Sequence, residues 1–188
     1  MAPTGLLKKA ATYADLERVP PHQVAEILDG ELYATPRPAV HHAHATSVLG
    51  VEIGGAYHRG RGGPGGWWIL DEPELHLGDN VVVPDLAGWR RSRLPALPDT
   101  PALSVAPDWV CEMISPSTES IDRGKKLAIY ARERVQHLWL VNPASQVLEV
   151  MSLGEGRWIL VATYVAGALV RAEPFDAIEL DLSALWPS

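Results

Sequence analysis

V-V-V-P-D at Val81–Asp85, D-W-V-C-E-M-I-S-P-S-T at Asp108–Thr118 and D-R-G-K-K-L at Asp122–Leu127 form the stretch from which the rest of the chain can be placed. An acid closes an apolar, strand-like run in the first piece. A second acid, Glu112, lies inside an apolar run in the next, and lysines follow in a helical pattern. Val110, Cys111, Met113 and Ile114 cover both faces of the strand with apolar side chains, so Glu112 is expected to be buried from both sides. A buried carboxylate needs a hydrogen-bond partner, a positive charge or a metal. Asp85 follows Pro84, where regular pairing ends and a functional side chain can be presented.

Upstream of this stretch, Thr12 reads as the N-cap of a short helix over Tyr13–Glu17. Gln23–Leu28 and Glu31–Ala34 read as a hairpin about Asp29-Gly30. Ala39–Tyr57 is helical in spacing, with Val40, Ala43, Ser47, Val48, Val51 and Ile53 available for its buried face. The glycine-rich run over 60–66 lacks the Lys-Ser/Thr ending of a phosphate loop and reads as a connection. Trp67–Leu70, Glu74–Leu77 and Val81–Trp89 read as strands, and Arg90–Val105, with three prolines, as a loop. Downstream, Ile121–Arg134 reads as an amphipathic helix. His137–Val141, Gln146–Ser152, Arg157–Tyr164 and Ile178–Leu182 read as strands. This alternation predicts an α/β fold: a central mixed sheet flanked by helices, with additional hairpins, in a single domain over 1–188.

The chain carries a formal net charge of −7, which argues against broad, charge-driven nucleic-acid binding but not against an acidic metal site. The run Arg90-Arg91-Ser92-Arg93 is a candidate basic patch, although a solvated loop explains it as well. One cysteine, Cys111, excludes an intramolecular disulfide. Met1–Tyr13 lacks the apolar core of a signal peptide, and no segment has the length of a membrane span. The expected location is cytoplasmic.

Two carboxylates and a lysine are the parts that metal-assisted phosphodiester hydrolysis needs. Magnesium prefers oxygen ligands and keeps several waters, so one or two carboxylates with a main-chain carbonyl suffice. Asp85 and Glu112 with the carbonyl of Met113 are the candidate ligands. Lys126 is the candidate lysine, one helical turn from Asp122 and from Tyr130. Lys125 and Tyr130 are neighbouring candidates. His41 and His44 have helical spacing, but nothing completes a zinc site with them. His137 reads as structural.

With E-I-L-D-G-E-L (Glu26–Leu32), V-V-P-D-L (Val82–Leu86), E-M-I-S-P-S-T (Glu112–Thr118), D-R-G-K-K-L and L-W-L-V-N-P (Leu138–Pro143) in this order, the chain resembles the bacterial "putative restriction endonuclease" family of the PD-(D/E)XK nuclease superfamily. The resemblance implies a restriction-endonuclease-like core, magnesium or manganese at the site, and DNA as substrate. It assigns Asp85 as the motif acid, Glu112 as the second acid and Glu26 as an additional one. The superfamily's usual lysine position is here Ile114. The resemblance moves the lysine to the following helix, at Lys126, with Lys125 one residue away. It also makes His44 a peripheral site candidate. Three functions compete: a metal-dependent DNA endonuclease, a non-catalytic binding module on the same fold, and a hydrolase of small phosphate esters. A homodimer is expected for double-strand cleavage, with the tryptophan-rich surface and the strand-rich C-terminal third offering apolar area.

Overall fold

The computed structural model describes residues 10–186. Met1–Lys9, part of the stretch read for a leader, lie outside them. The short helix α1 (Tyr13–Leu16) opens with the Asp15 carboxylate accepting from the backbone N–H and the hydroxyl of Thr12. Strands β1 (Gln23–Leu28) and β2 (Glu31–Pro36) form the expected hairpin. Asp29 and Gly30 both have positive φ, 51° and 78°, the backbone that a two-residue turn between twisted strands demands.

Helix α2 (Val40–Ile53) runs into a π-helical turn at Gly54–His58, followed by β3 (Trp67–Asp71). Two short strands come next, β4 (Leu75–Leu77) and β5 (Asn80–Val82). They precede β6 (Leu86–Arg90) and β7 (Trp109–Met113). The single strand expected over Val81–Trp89 is therefore two strands, and they belong to different sheets. β5 joins a four-stranded sheet in the order β2-β1-β5-β4, whereas β6 joins a six-stranded one. Pro84 has no N–H for a ladder, so Val83–Asp85 leaves regular pairing and crosses between the sheets.

A continuous helical stretch follows β7, with α3 (Glu119–Ile121), a π turn at Asp122–Lys126 and α4 (Leu127–Arg132). The amphipathic helix expected over Ile121–Arg134 is present, shifted by two residues and with the π turn inside it. It connects β7 to β8 (His137–Asn142), the one parallel pair of the six-stranded sheet. Parallel neighbours require such a crossover. β9 (Val147–Gly154) and β10 (Arg157–Val165) form a long hairpin that completes the order β10-β9-β8-β7-β6-β3. The short strand expected around Ile178–Leu182 is present as Leu180–Asp181, paired with Leu169–Val170, and a 3-10 turn over Leu182–Leu185 follows. The α/β class holds: a mixed central sheet with helices and an extra hairpin sheet against it.

Alternation along β7 and β8 sends side chains into two cores. Trp109, Cys111, Met113, Trp139 and Val141 pack with Leu49 and Ile53 of α2 and with the C-terminal segment. Val110, Leu138 and Leu140 pack on the opposite face with Ile129 and Tyr130 of α4 and with Leu28 of the small sheet. The tryptophans expected to dress a dimer surface are mainly in the first core. Trp67, Trp109 and Trp139 surround Phe175 edge-on, with centroids 4.8–5.6 Å away. The basic run is also committed internally: Arg91 donates to the carbonyls of Trp67 and His58 and stacks on Trp68, and Arg93 pairs with Asp108.

The buried face of α2 differs from expectation. Ala45, Thr46, Leu49 and Ile53 are buried, whereas Val40 and Val51 are 82% and 71% exposed. Apolar residues ring this helix, so its pattern does not select a face, and packing on the sheet sets the rotation. The same rotation turns His42 inward and leaves His41 exposed.

Candidate active site

The crossing segment Val83–Asp85 is gripped from both sides. Glu26, on β1, accepts a hydrogen bond from the Val83 N–H at 2.8 Å. Lys126, in the π turn, donates to the Val83 carbonyl at 3.2 Å. The backbone N–H and C=O of Val83, which lie outside the ladders, are thereby satisfied by two charged side chains. Asp85 lands at the end of β7, where its Oδ2 accepts from the Met113 N–H at 2.7 Å. The carboxylate takes the place of a ladder carbonyl, which holds it rigidly beside Glu112.

Glu112 lies on the α4 face of β7 and is 2% exposed. Tyr130 donates its hydroxyl to Glu112 Oε1 at 2.5 Å. Lys126 Nζ sits 2.9 and 3.0 Å from the two Glu112 oxygens and 3.0 Å from Glu26 Oε1, with Asp122 Oδ1 at 3.8 Å. The π turn presents Asp122 and Lys126 to the interior together, while Arg123 and Lys125 stay outside. Such turns widen the helix locally and recur at functional sites. Glu26, Asp85, Glu112, Asp122 and Lys126 line one cavity of about 310 Å³ together with Pro36–Pro38 and Ser115–Thr118.

Of the sequence candidates, Glu26, Asp85, Glu112, Lys126 and Tyr130 come together, and Met113 joins them through its backbone. Lys125 does not: its Nζ pairs with Glu31 at 2.6 Å and lies over the Tyr33 ring. His44 does not either, since its ring reaches the Ala184 carbonyl at 3.2 Å. The histidine at the site is His42, whose Nε2 is 2.5 Å from Asp85 Oδ1. A carboxylate only accepts, so Nε2 carries the proton. His42 shares one helical face with Ala45, Leu49 and Ile53, but apolar residues ring the helix, so spacing alone did not single it out. Asp122 was missed as a site residue as well.

Burial raises the Glu112 carboxyl well above the ordinary range. Lys126 opposes this, while Asp122, Asp85 and Glu26 reinforce it. Asp122 is raised for the same reasons, with Lys126 and the Thr118 hydrogen bond opposing. Burial alone would lower Lys126, but Glu112, Glu26, Tyr130 and Asp122 outweigh it and hold the ammonium charged. For His42, burial is outweighed by the hydrogen bond and charge of Asp85, with Asp122 and Glu72 adding to them, so its pKa is raised. Five carboxylates, Glu26, Glu72, Asp85, Glu112 and Asp122, line the cavity with Lys126, His42 and Arg37, the last paired with Glu72 at 3.0 Å.

A mixed central sheet with a helical crossover between β7 and β8 is a restriction-endonuclease-like fold. The chain belongs to the Uma2 family, described as "putative restriction endonuclease", whose sequence model matches residues 10–183. A solved structure described as a putative nuclease belonging to DUF820, from Anabaena variabilis, shares the fold with a TM-score of 0.72. It is 22% identical, and the match covers 94% of this chain and 97% of that one. No functionally curated protein matches. Family and fold are those of nucleases. Among the described residues, no helix is long and apolar enough to cross a membrane.

Nucleases of this fold generally use a divalent metal. Among the described residues, no three His, Cys, Asp or Glu side chains converge at metal-ligand spacing. The donor chemistry nevertheless fits a hard cation: the site's acids offer only oxygen, and two carboxylates with waters are enough for magnesium.

Proposed function

We propose that this chain is a magnesium- or manganese-dependent endonuclease that hydrolyses DNA phosphodiester bonds, acting as one nuclease domain. The observation that carries the reading is Lys126 held between Glu26 and Glu112, in the cavity that also contains Asp85. Asp85 and Glu112 would hold the cation, with the Met113 carbonyl beside them. When bound, the cation lowers the pKa of the attacking water and offsets charge on the phosphate. Lys126 remains protonated and is placed to orient that water or to stabilise the negative charge developing on phosphorus oxygens. Glu26 holds Lys126 in place, Tyr130 holds Glu112, and His42 fixes the rotamer of Asp85. In the reaction, one P–O bond forms to the water oxygen and one P–O ester bond breaks. The water gives up a proton to solvent and the leaving alkoxide takes one up.

The test is cleavage of plasmid and single-stranded DNA with magnesium or manganese, comparing the wild type with Asp85→Asn. Activity should fall by at least about a hundredfold. The fold should survive, because asparagine keeps an acceptor for the Met113 N–H and relieves repulsion among the remaining acids. Magnesium should raise the melting temperature of the wild type and not that of the variant; saturation at 100 times Kd is worth about 2.7 kcal/mol. Equal cleavage by both proteins would remove Asp85 from the chemistry. The net charge of −7 favours a second reading, a non-catalytic binding module. Absence of metal-dependent DNA cleavage by the folded wild type would select it.

A further inference from the structure

β10 lies at one end of the six-stranded sheet and pairs with β9 along one side. Among the described residues, no strand pairs with its outer side. At nine residues it is the longest strand. Its sequence, R-W-I-L-V-A-T-Y-V, has no charge after Arg157, no proline and no glycine. Ile159 and Leu160 are each 54% exposed and Val165 is 59% exposed. Edge strands are ordinarily protected by lysines, prolines, strong bulges or short length, because their free N–H and C=O groups invite another strand. Here the one irregularity is a register shift between Leu160 and Ala162. The opposite edge, β3, has five residues and ends on Asp71.

We propose that the outer edge of β10 is the docking surface for β10 of a second copy, paired antiparallel about a two-fold axis near Val161. The charge distribution selects this occupant and this direction. The whole chain is acidic, so two copies repel wherever their acids meet, but the strand from Trp158 to Val165 brings none to the contact. A highly charged partner strand would find nothing to pair with, whereas an identical strand matches it in length and apolar character. Parallel pairing would set Arg157 against Arg157, and like charges directly opposite destabilise a strand pair. Antiparallel pairing centred on Val161 sets each Arg157 near the partner's uncharged end, roughly 27 Å from the other Arg157. The aliphatic side chains of Ile159, Leu160 and Val165 leave water in the same step.

β7, with Glu112, lies three strands in from this edge. Each cavity therefore stays complete within its own chain, and dimer assembly is separable from the nuclease reading. The experiment is multi-angle light scattering of the full chain at micromolar concentration, wild type against the double variant Leu160→Lys, Val161→Lys. The wild type should run at twice the 20.4 kDa chain mass and the variant at the single-chain mass, with unchanged circular dichroism. A second arm covers misfolding of the lysine variant. Oxidised Val161→Cys should form a covalent dimer on a denaturing gel and Val51→Cys should not, the native Cys111 being fully buried. A wild-type monomer, or a dimer that survives the lysines and leaves Val161→Cys uncrosslinked, overturns the proposal. Neither outcome bears on the Asp85 test.

Discussion

Lys126 holds its charge among Glu26, Glu112 and Asp122 at distances of 2.9–3.8 Å, nearly out of contact with water. Removing one member of a buried ionic group leaves the others uncompensated and costs about 3–5 kcal/mol. Lys126→Met should therefore lower urea stability by that amount at pH 8. The loss should be smaller at pH 5 than at pH 8, because burial raises the Glu112 carboxyl and a protonated Glu112 leaves no bare charge behind. An equal loss at both pH values would mean that the charge of Glu112 is not the cause. His42 gives a second signature. Its folded-state pKa lies above the unfolded one, so the native state binds more protons once pH passes about 6.5. The stability it contributes is full below that pH and is lost as pH rises through the folded value. In metal-free buffer, the melting-temperature advantage of wild type over His42→Gln should decline across that window. A difference that stays constant with pH would show that His42 acts through shape alone.

At the scale of elements, α2 shows how an apolar helix conceals its orientation. With Val40, Ala43, Ala45, Val48, Leu49, Val51 and Ile53 spread around it, several faces were open to burial. The sheet selects the one containing Leu49 and Ile53. Leu49→Ala should cost about 2–5 kcal/mol, as for other buried large-to-small changes. Val51→Ala, on the exposed face, should stay within about 0.5 kcal/mol. Chemical denaturation of the two variants checks the rotation, and with it the inward position of His42. A Val51 variant as damaged as the Leu49 variant would reject the packing described. The π turn at Asp122–Lys126 is a second case. The i,i+4 spacing of Asp122, Lys126 and Tyr130 was readable as one stripe, yet local spacing does not reveal a widened turn. It also did not separate Lys126 from Lys125. That separation follows from which lysine faces the acids of β1 and β7 and which faces Glu31 and Tyr33 of β2.

Across the whole molecule, local chemistry and long-range pairing divide the information between them. The Asp29-Gly30 turn, the buried acid in W-V-C-E-M and the lysine stripe after it are matters of neighbours within a few residues. Backbone sterics and side-chain period settle them, so the α/β class and the acids Asp85 and Glu112 were legible in the chain alone, whereas Glu26 entered through the family resemblance and Lys126 stayed one residue from Lys125. The separation of Val81–Trp89 into two sheets was not. Pro84 marks a break, but the choice of sheet for each half depends on β1 and β7, which are distant in sequence and meet only when the hydrophobic faces close. The tryptophans give the same lesson: their number was visible, whereas their place around Phe175 depends on a segment more than thirty residues beyond Trp139. His42 belongs to this second group too, since a histidine on a helix ringed with apolar residues becomes a site residue only when packing turns it toward Asp85. Periodicity and turn chemistry determined which elements form and which acids must be buried. Tertiary structure alone decided which side chains share the cavity, because that depends on the rotation and sheet membership of elements, which are energies of contact between residues far apart in the chain.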